Sequence, residues 1–206
     1  MEAGTGNASL TLHLARSLYP TGQLHSIDID PVASTKAKAT VTNFSRGLYS
    51  DVVKFSTGMC SEVISDDPHL YDGIVLDIPE PSGELHAVVS KLKVDRFIVC
   101  YLPNMNQVLT LFQYIRAQKL PLELEKVLEV QWRPWDVKAT VIRSRMGSEP
   151  FSVKELINRD EIPDEAIGYI CRPSHEPTAH TAFLMRFEKT DRNQIQETVV
   201  EKEIKD

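Results

Sequence analysis

With 206 residues, 42% of them apolar and 25% charged, the chain has the make-up of one globular domain with a core of its own. Its net charge of −6 excludes a stand-alone nucleic-acid grip, which needs clustered Lys and Arg, and leaves RNA contact to a local patch or a partner. No apolar run is long enough to span a membrane, and three scattered cysteines, Cys60, Cys100 and Cys171, suit buried free thiols in a reducing compartment.

The chain opens on Glu2-Ala3-Gly4-Thr5-Gly6-Asn7-Ala8-Ser9 and passes straight into the apolar-periodic stretch Leu10–Leu18. That is the pattern of a strand end, a tight turn and a helix start. Glycines admit a ligand close to the backbone, and a helix N-terminus offers free N–H groups. The next strand, Leu24–Asp28, ends on an acidic residue. Asp28 follows the glycines near the spacing, roughly 20 residues, at which a carboxylate grips a ribose diol in a Rossmann-like unit. Met1–Ala3 can supply only the end of the first strand, so the chain reads as an N-terminally incomplete version of a longer protein.

Pro31 starts a helix that runs to about Arg46. Val52–Phe55 is a short strand, and Tyr71–Leu76 a continuous apolar one, buried on both faces. It ends in Asp77-Ile78-Pro79-Glu80-Pro81. Leu85–Leu92 is helical, Arg96–Leu102 is a strand and Val108–Ala117 a helix. Leu122–Val130 begins a long strand that continues through Trp132 and Trp135 to Val141. Met146–Ser152 reads as a loop, Val153–Asn158 as a short helix and Arg159–Pro177 as Pro- and acid-rich chain. Thr181–Phe187 is the last strand, followed by a polar tail. The alternation predicts an open, mostly parallel α/β sheet.

In such sheets ligands bind at the carboxyl ends of the strands, near the switch point. The candidates are therefore Glu2, Gly4 and Gly6; Asp28; Gly58 and Met59; Asp77 to Pro81; and Tyr101 to Asn104. Taken singly, Asp77 can equally cap a turn and Tyr101 can equally pack. The six histidines show no metal-ligand spacing with the cysteines. One basic stretch, Arg133, Lys138, Arg143 and Arg145 interleaved with Trp132 and Trp135, suits either phosphate contact with base stacking or a subunit interface.

Five motifs occur in order: Glu-Ala-Gly-Thr-Gly at 2–6, Leu-Asp-Ile-Pro-Glu-Pro at 76–81, Tyr-Leu-Pro-Asn-Met-Asn-Gln-Val at 101–108, Glu-Val-Gln-Trp-Arg-Pro-Trp-Asp-Val at 129–137 and His-Thr-Ala-Phe-Leu at 180–184. Over residues 1–145 and 178–189 the chain resembles the S-adenosylmethionine-dependent tRNA methyltransferases that make 1-methyladenosine at position 58. The resemblance implies a Rossmann-like class I methyltransferase fold over 1–189, with a reversed last strand and an insertion at about 146–179, and a polar tail at 190–206. It implies a homotetramer, or a heterotetramer with a non-catalytic homologous subunit, acting on tRNA and not on a membrane. The compartment would be mitochondrion or nucleus in a eukaryote and cytoplasm in a prokaryote. By resemblance, Glu2, Gly4 and Gly6 line the methionine end of S-adenosylmethionine and Asp28 holds its ribose. Asp77 is the catalytic carboxylate, also against the cofactor, and Tyr101 the aromatic beside the target base. RNA contact falls to Trp132, Arg133, Lys138, Arg143 and Arg145. The chain departs from the family at Ala8, where Gly is common, at Met59, where many methyltransferases place an acid against the cofactor adenine, and at Ser82, which replaces a Trp.

Overall fold

The computed structural model describes residues 1–131, 135–141, 167–173 and 180–191. They fall into two compact units, residues 1–130 with the segment from 181 onward, and residues 131–180.

The first unit is built on a seven-stranded sheet. Its strands are β1 (Glu2–Ala3), β2 (Leu24–Asp28), β3 (Val53–Thr57), β4 (Tyr71–Leu76), β5 (Leu92–Leu102), β6 (Leu122–Glu129) and β9 (Phe183–Lys189), in the spatial order β3-β2-β1-β4-β5-β9-β6. Strands β1 to β5 run parallel, and β9 inserts antiparallel between β5 and β6. The helices are α1 (Ser9–Leu18), α2 (Pro31–Asn43), α3 (Cys60–Ser65), α4 (Leu85–Lys91) and α5 (Met105–Ala117). From β1 the chain steps one way to β2 and β3, then jumps back to β4 and β5 on the other side. Right-handed crossovers therefore put α1 and α2 on one face and α3, α4 and α5 on the other.

Two apolar layers result. Ala8, Ala37 and Val41 pack with Leu12, Val53 and Phe55. The larger layer joins Ile74, Leu76, Ile98, Cys100, Leu102, Met185 and Phe187 of the sheet to Leu85 and Val88 of α4 and Val108, Leu111 and Ile115 of α5. The sheet residues recur at every second position and the α5 residues at three- and four-residue steps, as each geometry requires. Lys189 ties β9 to the end of α4 at one corner of the larger layer. Its Nζ donates to the carbonyls of Val89 and Leu92 at 2.8 and 2.6 Å, capping the C-terminus of α4 with a positive charge.

The second unit contains β7 (Trp135–Val141) and β8 (Ile167–Pro173), paired antiparallel into a two-stranded ribbon. This corrects the expected long strand to Val141. The sheet strand stops at Glu129, and Trp135–Val141 finds its partner in Ile167–Pro173, inside chain read from its prolines and acids as irregular. Cys171 is consequently exposed on the ribbon, whereas Cys60 and Cys100 are the expected buried thiols. Smaller shifts follow from caps. Helix α5 starts at Met105, ahead of its apolar period, because Asn104 and Gln107 form a reciprocal capping box. Helix α3 has too few residues for its period to register. No described helix is long and apolar enough to cross a membrane.

Phe187 is fully buried between Ile98 and Leu124 of the neighbouring strands. Phe187→Ala should cost about 3–5 kcal/mol of stability. Urea denaturation should show the midpoint falling with little change of slope.

Candidate active site

The strand ends come level because of the pairing register. Ala3 stands opposite both Ile27 and Leu76, Asp28 opposite Thr57 and Leu76 opposite Cys100. One step further on, Gly4, Asp28, Asp77 and Tyr101 therefore form a row along the carboxyl edge of the sheet. Backbone bonds extend the ladder into the loops. Gly4 donates to the Ile27 carbonyl, Asp77 to that of Ala3 and Gly58 to that of Asp28, each at 2.9 Å. The switch point lies between β1 and β4, and a cleft of about 460 Å³ opens over it. Gly4, Gly6, Asp28, Ile29, Gly58, Met59, Cys60, Asp77 to Glu80 and Glu84 line this cleft.

The glycine loop is shaped by close approach. Gly4 has φ +93°, and a Cβ there would overlap the Asp77 carbonyl oxygen. Gly6 has φ +50° and open space where its side chain would be. The Gly6 N–H donates to Asp28 Oδ2 at 2.8 Å, and the Asp30 N–H to Asp28 Oδ1 at 2.9 Å. These bonds fix the Asp28 carboxylate at the cleft wall. A carboxylate has about four acceptor positions, so it retains capacity for two hydroxyls. Ala8, at the start of α1, is buried with φ +67°, a conformation that glycine adopts without strain. The resemblance implied a glycine at this position, and Ala8 adopts the conformation at some cost.

Glu2 does not line the cleft. It sits in the central strand, 0% exposed, and its Oε2 accepts from Thr11 Oγ1 at 2.7 Å and Ser26 Oγ at 2.6 Å. Ser26 is also bonded to Thr5 of the loop at 2.7 Å. Glu2 thus fastens α1, β2 and the loop together from below, where the resemblance implied a wall position. Glu2 Oε1 is buried without a hydrogen-bond partner. Burial pushes the Glu2 carboxyl above its usual range, against the opposing pull of Ser26 and Thr11.

Asp77 stands at the cleft mouth, open to water on one side. Partial desolvation by the cleft wall raises its carboxyl above the usual range. Tyr101 lies near the end of β5, level with Asp77, but does not line the cleft; it is 40% exposed. Glu84 is a lining residue that the motifs do not single out. It is only 7% exposed, and its Oε2 accepts from the Ser61 N–H at 2.5 Å. A lone acid before a helix carries no sequence signal of burial, which here comes from α3 packing against α4. Of the basic and aromatic stretch, Trp132, Arg133, Arg143 and Arg145 lie outside the described residues. Lys138 is exposed on the ribbon, and strand alternation puts it on the face opposite Trp135.

Gly4→Ala combines positive-φ strain with a clash against backbone, and should cost about 3 kcal/mol or more. Thermal unfolding of this variant beside Gly6→Ala, which has room for a methyl, separates strain from crowding. Glu2 supplies a pH test. Its folded-state pKa lies above the unfolded one, so its contribution is complete at low pH and is lost as pH rises through the folded value. Glu2→Gln should therefore flatten the decline of stability above the ordinary carboxylate range, read by denaturation at several pH values.

Comparison with known proteins puts this geometry in a family. Residues 1–189 match the family model described as tRNA methyltransferase complex GCD14 subunit. The tRNA (adenine(58)-N(1))-methyltransferase TrmI of Thermus thermophilus is 39% identical over 145 residues, 70% of this chain and 54% of the relative. The chain thus spans about half the length of the curated relatives it matches. Two crystal structures share the fold. A SAM-dependent O-methyltransferase from Thermotoga maritima gives a TM-score of 0.67 at 21% identity, covering 93% of this chain and 60% of the other. The tRNA (m1A58) methyltransferase TrmI from Aquifex aeolicus gives 0.60 at 21% identity, covering 92% and 62%. With the strand order, the reversed β9 and the match over residues 1–189, the chain belongs to the tRNA methyltransferase complex GCD14 subunit family.

Proposed function

We propose that this chain is the cofactor-binding, catalytic part of an enzyme that transfers a methyl group from S-adenosylmethionine to N1 of adenine 58 in tRNA. The observation that carries the reading is the level row of Gly4, Asp28 and Asp77 over the switch-point cleft, in a chain of this family. The residues fit the cofactor. Gly4 and Gly6 leave bare backbone where a zwitterionic chain must come close. Asp28 offers its remaining acceptor positions to a ribose diol. Met59 and Cys60 continue the cleft on its apolar side, where a base can lie.

When bound, the cofactor supplies a methyl group activated as a sulfonium. The chain's own part is electrostatic and positional. Adenine N1 already carries a lone pair, so no strong base has to act before attack. Positive charge develops on the base as the new bond forms. An ionised Asp77 accepting from the adenine N6 amino group raises electron density at N1 and stabilises that charge. Holding the reactants in line supplies much of the remaining rate. N1 lies on the Watson–Crick edge, so the base must leave its stack and enter the cleft.

Assembly and RNA contact belong to the same proposal, with a homotetramer or a heterotetramer with a homologous subunit as the assembled form. On β7 and β8, Trp135 and Val137 share a face with their cross-strand partners Pro173 and Cys171, and Tyr169 continues that face. Trp135 is 56% exposed and Tyr169 71% exposed. Asp136 and Lys138 turn to the other face, opposite Arg172 and Ile170. The apolar face suits another protein surface, and the face with Lys138 and Arg172 suits phosphate. One observation favours a second reading, a non-catalytic subunit. Ser82 stands in place of the family's Trp, and its hydroxyl donates to Glu80 at the cleft.

Single-turnover methylation of a tRNA transcript, read as 1-methyladenosine after nucleoside digestion, tests the proposal. Asp77→Ala should slow transfer by roughly two orders of magnitude or more while cofactor affinity changes little, as expected of a group that acts mainly in the transition state. Because the Asp77 carboxyl titrates above the usual range, the wild-type rate should fall on acidification earlier than an unshifted aspartate allows. Cofactor binding without any 1-methyladenosine would favour the non-catalytic reading.

A further inference from the structure

We infer that Glu84 is a specificity-determining residue of the cofactor cleft, accepting a hydrogen bond from the 6-amino group of the cofactor's adenine; this rests on the proposed cofactor reading. The strand order fixes where the base must lie. Gly4 and Gly6 follow β1, Asp28 follows β2, and Gly58 to Cys60 follow β3, so a nucleoside held at Asp28 and reaching away from the glycine loop arrives at β3. The residue expected to receive a base amino group there is Met59, which offers only a thioether, a weak acceptor.

Glu84 supplies the missing acceptor from the segment after β4. It ends the short helical turn Pro81–Glu84 after β4. Its Oε2 accepts from the Ser61 N–H at 2.5 Å, one residue beyond Cys60, which pins the carboxylate at the β3 end of the cleft. It is 7% exposed, and what remains open of it lines the cleft with Met59 and Cys60. Among the described residues no lysine or arginine lines this cleft, so no described cation neutralises Glu84 from inside it. Burying a carboxylate is costly unless hydrogen bonds meet its oxygens. One backbone amide serves Oε2. An exocyclic amino group is a donor of the right kind for Oε1, and a charged acceptor makes the stronger class of bond.

The chemistry predicts an asymmetric response to substitution. Gln has a single carbonyl oxygen, and the Ser61 N–H claims it. The Gln amide nitrogen then faces the base as a donor, against another donor. Glu84→Gln, close to isosteric, therefore should lose recognition of the amino group while keeping the bond to Ser61.

The test is calorimetric binding of two ligands to the full chain: S-adenosylhomocysteine, and its analogue in which hydrogen replaces the 6-amino group. The wild type should bind the amino-bearing ligand at least tenfold more tightly, because a site built to hydrogen-bond a group rejects the analogue lacking it. In Glu84→Gln the ratio should fall to near one, mainly through weaker binding of the amino-bearing ligand. Thermal unfolding checks that the variant is folded, and an unfolded variant moves the decision to the wild-type ratio alone. Equal affinities in the wild type overturn the inference. So does a variant that weakens both ligands alike with the ratio preserved, since Glu84 would then act only through Ser61. Failure of the wild type to bind either ligand sinks the cofactor reading itself, and the inference with it.

Discussion

The cleft depends on the backbone ladder that β1 makes with β2 and β4. In this chain β1 comprises Glu2 and Ala3, and these two residues set the level of everything at the carboxyl edge. A slip of one residue would turn every side chain on β1 to the other face and raise the loop against Asp77. The buried knot of Glu2, Thr11, Ser26 and Thr5 opposes such a slip. Its hydroxyls meet the carboxylate at one register only, and a buried carboxylate left without donors is costly. Gly4 completes the constraint, since its backbone lies against the Asp77 carbonyl with no room for a side chain.

The parts of the fold written in local pattern are legible in the sequence. Gly4, Gly6 and Asp28 read as a cofactor loop because turn chemistry and strand ends leave marks at fixed spacing. The parallel strands are readable because they carry short apolar runs. Only β1 and β2 are buried nearly throughout, while β4 and β5 alternate buried with half-buried or exposed positions, contrary to the expected burial of Tyr71–Leu76 on both faces. What stays hidden depends on tertiary partners. Strand β8 holds the strand formers Ile167, Tyr169 and Ile170, but Gly168 breaks the run and prolines and acids surround it, so its pairing with β7 is not announced locally. Glu2 has the look of a ligand-facing acid because nothing in its neighbours announces Thr11 and Ser26 as donors. Glu84 leaves no mark because its burial comes from two helices packing against each other.

The sheet and the ribbon differ in how their apolar residues are covered. In the sheet, β9 is paired on both sides and its apolar residues Phe183, Met185 and Phe187 are buried. Among the described residues the ribbon has two strands, and a lone two-stranded ribbon is marginal in water. Its exposed Trp135, Val137, Tyr169 and Ile170 are a large apolar load for so small an element, of the kind that marks an interaction surface.

The insertion of β9 between β5 and β6 has a consequence for vectorial synthesis. Among the described residues strand β6 pairs with β9 alone, so its described place in the sheet depends on β9. On the ribosome, β1 to β5 and their helices can emerge and associate while Leu122–Glu129 waits as an unpaired strand. More than fifty residues, including the whole of the second unit, must be translated before its partner appears. At typical elongation rates of about 5–20 residues per second, that interval lasts several seconds. Throughout it the side of β5 that β9 takes is without that partner. The charges Glu123, Glu125, Lys126 and Glu129 on β6 have the composition that discourages edge-to-edge association in a nascent chain.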